Sequence, residues 1–143
     1  MCHKKPVSST NTIEAPGGAK MNENQRKITR SNVNEEWACS GVVEAGDFAF
    51  VSYCFANIDQ PLENQVNGAI DLLAKRLGTI GLDLESVVNV TCLFKNISDL
   101  PVIKKVFKER FNGNYPSRKA IQTEFLKDSE GLLFQLDAIA YKG

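Results

Sequence analysis

The sequence predicts a single α+β domain, a mixed sheet of about five strands in the order ββαβαββ with two helices on one face. Three observations predict it. Two stretches repeat apolar residues at helical spacing between cap and stop signals. The runs around them alternate with period two or are apolar throughout, as strands do. The helices are too few to cover both faces of a sheet that size.

The chain has 143 residues, and residues 1–25 are expected to form a flexible tail. That tail is rich in Ser, Thr, Asn, Lys and Gly, has PGG at its middle and offers almost nothing to bury. Residues 26–143 make the folded domain. Ile28 to Val33 reads as a short edge strand. Trp37 to Ala45 and Phe48 to Phe55 read as a hairpin around Glu44-Ala45-Gly46-Asp47. On its second strand Phe48 and Phe50 share one face, and Ala49, Val51, Tyr53 and Phe55 the other, so the strand calls for cover on both sides.

Asp59-Gln60-Pro61 opens a helix in which Leu62, Val66, Ala69, Ile70, Leu73, Leu77 and Ile80 form one stripe, and Gly81 stops it. Val87 to Lys95 is the next strand, with Val88, Val90, Cys92 and Phe94 on one face. Ser98-Asp99-Leu100-Pro101 starts a second helix that carries Ile103, Val106, Phe107 and Phe111 inward and ends at Asn112-Gly113-Asn114. Tyr115 to Lys142 closes the chain as two strands around the polar turn KDSEG. The uncovered sheet face holds Leu93, Ile139, Ala120 and half of the Phe48–Phe55 strand. Leaving such apolar surface in water is unfavourable by about 25 cal/mol per Å², which predicts self-association through that face.

Composition narrows the function classes. An apolar content of 43% supports one real core, and 17 basic residues balance 17 acidic ones. No basic face stands out, so no nucleic-acid partner is expected. No run reaches membrane-spanning length, and the N-terminus lacks the apolar core of a secretory signal. Cys2, Cys39, Cys54 and Cys92 include no C-x-x-C pair, which fits a reduced, cytoplasmic protein, with mitochondrial import as the alternative. The sequons at Asn89 and Asn96 are then chance matches. His3 is the only histidine, and it lies in the tail, so the core has no Ser-His or Cys-His pair. Cys2-His3 on a floppy end does not make a metal site.

Four segments carry a resemblance: GDFAFVSY, AIDLLAKRLGTIGLDLESVVNVTCLFKNISDL, YPSRKAI and FQLDAIA. From about Val42 to Tyr141 they make the chain similar to the Rid family, also called YjgF or the L-PSP endoribonuclease family, whose members are enamine/imine deaminases. The resemblance implies a chorismate-mutase-like fold and a homotrimer with sheets facing inward and a ligand cleft between subunits. It implies hydrolysis of 2-aminoacrylate-like intermediates to a 2-keto acid and ammonia. Such chemistry needs a guanidinium to hold the substrate carboxylate, a positioned water and a route for protons, and no metal or organic cofactor.

Carried over to this chain, Arg118 falls on the family's carboxylate-binding arginine and Ser52 on the serine of its SG pair, with Tyr53 beside it. The main-chain carbonyl that holds a water falls on Ala120, where better-known members have cysteine. The family's N-terminal tyrosine aligns with Cys39, and a helix asparagine with Lys104. The glutamate of the "EIEAIA" ending falls on Gln135, which can orient a water but cannot accept its proton. Losing a general acid/base costs about 10²–10⁴-fold in rate. Asp137, on the same strand face, is a candidate substitute. The expected catalytic residues are therefore Gln135, Ala120 and Ser52, and the substrate-binding ones Arg118, Tyr53 and Cys39. Without the family match Arg118 reads as a rim ion pair to Glu124 or Asp137, Ser52 is as much a packing residue as a ligand contact, and Cys39 is a structural thiol rather than a nucleophile. Two functions stay open, a deaminase or a non-catalytic trimer that binds a 2-keto or 2-imino acid. A third reading, a ribonuclease, rests only on the family's label, with no histidine pair or basic groove in the sequence to support it.

Overall fold

The computed structural model describes residues 13–14, 20–21, 27–125 and 130–143. Most of the tail expected over 1–25, with Cys2 and His3, lies outside the described residues, as does most of the KDSEG turn. Within the tail, strands β1 (Ile13–Glu14) and β2 (Lys20–Met21) pair antiparallel as a separate two-stranded ribbon.

The domain proper runs β3 (Ile28–Asn34), β4 (Cys39–Ala45), β5 (Phe48–Cys54), α1 (Leu62–Gly78), β6 (Val87–Phe94), α2 (Leu100–Phe111), β7 (Ser117–Gln122) and β8 (Phe134–Tyr141). The six strands form one mixed sheet in the order β3-β4-β5-β8-β6-β7. The α+β class and the ββαβαββ order are thus observed, and Ile28–Asn34 is a full edge strand, giving six strands in place of about five.

Both helices follow from their apolar stripes. Val66, Ala69, Ile70, Leu73 and Leu77 of α1 are fully buried, and α2 buries Ile103, Val106, Phe107 and Phe111. Asn112 caps α2 in the left-handed conformation that Asn tolerates. Across the solvent side, Lys105 of α2 pairs with Glu63 and Arg110 with Asp71. The core lies between the helices and one sheet face, built from Val42, Ala49, Val51, Val90, Cys92, Phe94, Leu136 and Ala138.

Gln65 is a polar residue at 0% exposure in that core. Its amide nitrogen donates to the carbonyls of Gln60 and Gly131, and its oxygen accepts from the Leu133 N–H. One side chain thereby ties the start of α1 to the loop before it and to the approach to β8, with its hydrogen-bonding capacity nearly filled.

Four expectations are corrected. The closing stretch is not a hairpin: β7 pairs parallel with β6, β8 pairs antiparallel with β6, and β6 sits between them. Val88 does not share the face of Val90, because an extra residue in β6 between the Val87–Ala140 and Asn89–Ile139 pairs turns it out to 43% exposure. Tyr53 likewise leaves the buried face of Ala49 and Val51. Between Val51↔Ala138 and Cys54↔Leu136, β5 carries one residue more than β8, so Cys54 is buried and Tyr53 is exposed. Finally, Ala120 is not on the open face. It aligns with Cys92 and through it with Leu136, both buried on the helix side, and is exposed because β7 is an edge.

The open face carries Phe50 at 42% exposure, with Val43, Leu93 and Ile139 half-buried around it. This is an apolar centre that the chain alone leaves in water. No helix among the described residues is long and apolar enough to cross a membrane.

Candidate active site

The β5 bulge shapes one end of the sheet. Tyr53 sits at φ 62, a left-handed conformation that costs a non-glycine residue energy. Its N–H, turned out of the ladder, donates to Asp137 Oδ1 at 2.7 Å across to β8. The Ser52 carbonyl instead accepts from Arg76 Nη1 at 2.5 Å, and the same nitrogen lies 3.8 Å from Cys54 Sγ. Arg76 comes from the last turn of α1, where a cation also suits the helix dipole.

Ser52, Tyr53 and Arg76 line a cavity of about 610 Å³ at the ends of β3, β4 and β5. Cys39, Ser52 and Tyr53 all face it, together with Trp37, Phe55 and Arg76. Gly41 lines its floor. A Cβ there would stand 3.1 Å from Arg76 Cζ and 2.8 Å from Asn32 Cβ, so the glycine lets the guanidinium lie against β4. Burial pushes the Cys54 thiol up to about 11 despite the neighbouring guanidinium, so it stays protonated.

Arg118 lies elsewhere. It opens β7 at the far edge of the sheet, with β5, β8 and β6 between it and β4. At about 4.8 Å per strand, β5 and β7 stand roughly 14 Å apart. Arg118 aligns with Val90 and Ala138 on the helix side, and its guanidinium stacks over the Phe107 ring at 5.4 Å. Among the described residues it makes no ion pair, neither with Glu124 nor with Asp137. Ala120 follows two residues on, along the same exposed edge.

Gln135 occupies a third place. It aligns with Leu93 and Ile121 on the open face at 8% exposure, so the sheet lies between its side chain and that of Arg118. Within one chain the two side chains do not meet. Asp137 shares the open face, but one of its oxygens is engaged by the Tyr53 N–H. Lys104 is exposed on α2. No group of His, Cys, Asp and Glu able to hold a metal occurs among the described residues.

One chain thus brings Cys39, Ser52 and Tyr53 together and leaves Arg118, Ala120 and Gln135 apart from them. Sequence reasoning missed Arg76. It follows Lys75 in a helix that reads as solvated on that side, and only the Gly41 and Ser52 backbones turn it inward. Gly41 beside an alternating apolar strand was the available signal.

Residues 38–142 match the family model described as Endoribonuclease L-PSP. Over 75 residues the chain is 33% identical to a 2-iminobutanoate/2-iminopropanoate deaminase of Rattus norvegicus and 29% identical to that of Homo sapiens. Each of these matches covers 52% of this chain and 53% of the relative, so the chain spans about half the length of the curated relatives it matches. A solved structure from Streptococcus pyogenes M1 GAS, described as a member of the YjgF family, superposes with a TM-score of 0.77 at 49% identity, covering 81% of this chain and 97% of that one. A YjgF-family structure from Mycobacterium tuberculosis superposes at 0.72 with 23% identity, covering 80% of this chain and 99% of that one, a likeness of fold. With nearly the whole ordered domain matched, the chain belongs to the L-PSP endoribonuclease family, also called Rid or YjgF.

Proposed function

We propose that this protein is a Rid-type deaminase. It hydrolyses small 2-imino acids, the tautomers of 2-aminoacrylate-like enamines, to 2-keto acids and ammonia in a site completed between copies of the chain. The observation that carries the reading is Arg118, an exposed guanidinium with no carboxylate partner among the described residues, held over Phe107 at a sheet edge. A substrate carboxylate is the complement of such a planar cation. Relatives named as 2-iminobutanoate/2-iminopropanoate deaminases support the substrate class.

The second copy follows from separation. A three- or four-carbon acid does not bridge the roughly 14 Å between β7 and the β5 cavity of one chain. A homotrimer packed through the open faces covers Phe50 and brings the Arg118 edge of one copy to the cavity of the next. In that site Arg118 fixes the carboxylate, and the Ala120 carbonyl and Gln135 amide orient the water. The water oxygen attacks the imine carbon while the C=N electron pair moves to nitrogen. Gln135 takes up no proton, so both protons of the water pass through solvent to nitrogen, the first as the carbinolamine forms and the second from its hydroxyl as the C–N bond breaks, which releases ammonia and leaves the keto acid.

The test is ammonia and keto-acid release from 2-aminoacrylate generated in situ, with the mass of the protein in solution. The reading expects release above the spontaneous rate, from a species three times the 15.8 kDa chain. Release at the spontaneous rate with a keto acid still bound identifies a binding protein, and a monomer removes the shared site.

A further inference from the structure

Among the described residues that line the cavity, Arg76 carries the one charged side chain. Its two hydrogen bonds both use Nη1, to the Ser52 carbonyl and the Cys54 thiol. The guanidinium has five N–H donors, so most of them are left over. Among the described residues Arg76 makes no ion pair, and the nearby Asp137 gives one of its oxygens to the Tyr53 N–H. Gly41 keeps clear the space that the guanidinium fills, since a methyl there would crowd Cζ and Nε. Tying down the bulge accounts for one donor nitrogen. It does not account for a half-buried charge turned toward an open cavity, which is costly without an anion.

The volume points the same way. About 610 Å³ lies within the range of roughly 300–1,000 Å³ typical of sites for sizeable ligands, more than a three- or four-carbon imino acid fills. Ser40 and Ser52 add hydroxyls to the lining, and Trp37 and Phe55 add apolar walls.

We infer that Arg76 forms a second anion subsite, and that the ligand of this protein is a 2-imino or 2-keto acid with a further carboxylate on its side chain. The inference rests on the deaminase reading above for the first carboxylate, which Arg118 of a neighbouring copy holds. The side-chain carboxylate meets the free donors of Arg76 beside the bulge, while the apolar walls take the carbons between. Arg76 is then the specificity-determining residue.

Calorimetric titration of the full-length protein with 2-oxoglutarate and with 2-oxopentanoate, equal in carbon number and different in one carboxylate, tests this. The wild type is expected to bind 2-oxoglutarate about tenfold or more tightly than 2-oxopentanoate, as charge-assisted bonds do. Arg76→Gln brings the ratio to about one, chiefly through weaker binding of 2-oxoglutarate, while Arg118→Ala weakens both ligands. Should Arg76→Gln disturb the bulge, Arg76→Lys, which keeps the charge, and Gly41→Ala, which displaces the fork, each shrink the ratio in a folded protein. Equal binding of the two acids by the wild type, or a preference that survives Arg76→Gln, overturns the subsite and leaves the deaminase reading standing. Failure of the wild type to bind either acid also overturns the subsite, while the deaminase reading is decided separately by ammonia release from 2-aminoacrylate.

Discussion

Replacing Arg118 by alanine separates the stability of the domain from its chemistry. The side chain is exposed on an edge strand, and its recorded contact is the stacking over Phe107 at 5.4 Å. A cation over an aromatic face at an exposed site contributes about 0.5–1 kcal/mol, so Arg118→Ala should lower Tm by a few degrees at most. The loss in catalysis is larger. A bidentate clamp supplies two charge-assisted hydrogen bonds, each of about 1.5–3 kcal/mol, so removing both costs roughly 3 kcal/mol or more. At 1.36 kcal/mol per decade that is about a hundredfold fall in kcat/KM for 2-imino acid hydrolysis. Arg118→Lys keeps the charge but not the fork and should recover only part of it. The assay is keto-acid release at substrate well below KM, with thermal unfolding in parallel. An unchanged kcat/KM in a folded Arg118→Ala protein would refute the clamp, and a collapse of Tm would show that the arginine is structural instead.

Further outcomes follow from particular contacts. Gln65→Leu fills the same space but strands the Leu133 N–H and two carbonyls in the core, and should destabilise by about 2–4 kcal/mol in urea unfolding. Tyr53→Gly should be tolerated because its φ of 62 suits glycine, whereas Tyr53→Val should cost about 1–3 kcal/mol by the same measurement. Burial raises Cys54 to about 11 and Cys92 to about 12 from the ordinary 9.0. The unfolded chain therefore loses these protons first, and their contribution to stability is whole below pH 9 and falls as pH rises from 9 toward 11–12. A urea midpoint that declines across that window, less steeply in a Cys54→Ala/Cys92→Ala protein, is the expected result. Gln135→Glu restores a proton acceptor and should raise kcat for imine hydrolysis at neutral pH.

Periodicity made the fold class and both helices legible, because Val66, Ala69, Ile70, Leu73 and Leu77 can share a face only on a helix. It failed where one extra residue breaks the count. The bulges at Val88 and at Ser52–Tyr53 reverse the faces that alternation assigns, and no local residue type announces them, since glycine is absent from both. Strand pairing was hidden for a related reason. Ser117–Gln122 and Phe134–Tyr141 follow one another through a polar turn as a hairpin would, yet Val87–Phe94, an apolar strand wanting neighbours on both edges, inserts between them. The candidate site was legible in part. Cys39, Ser52 and Tyr53 converge on one cavity, but Arg76 came into view only with the backbone geometry that turns it inward.

The central claim is that one working site takes Arg118 from one copy and the β5 cavity from another. Two singly defective chains test it, Arg118→Ala and a cavity-filling Cys39→Trp. Each alone should show little imine hydrolysis. Unfolded together in equal amounts and refolded, they assort at random. Half of the cavities are then intact and half of these meet an intact arginine, so about one quarter of wild-type activity should return. Activity that stays at the level of the separate variants contradicts the shared site.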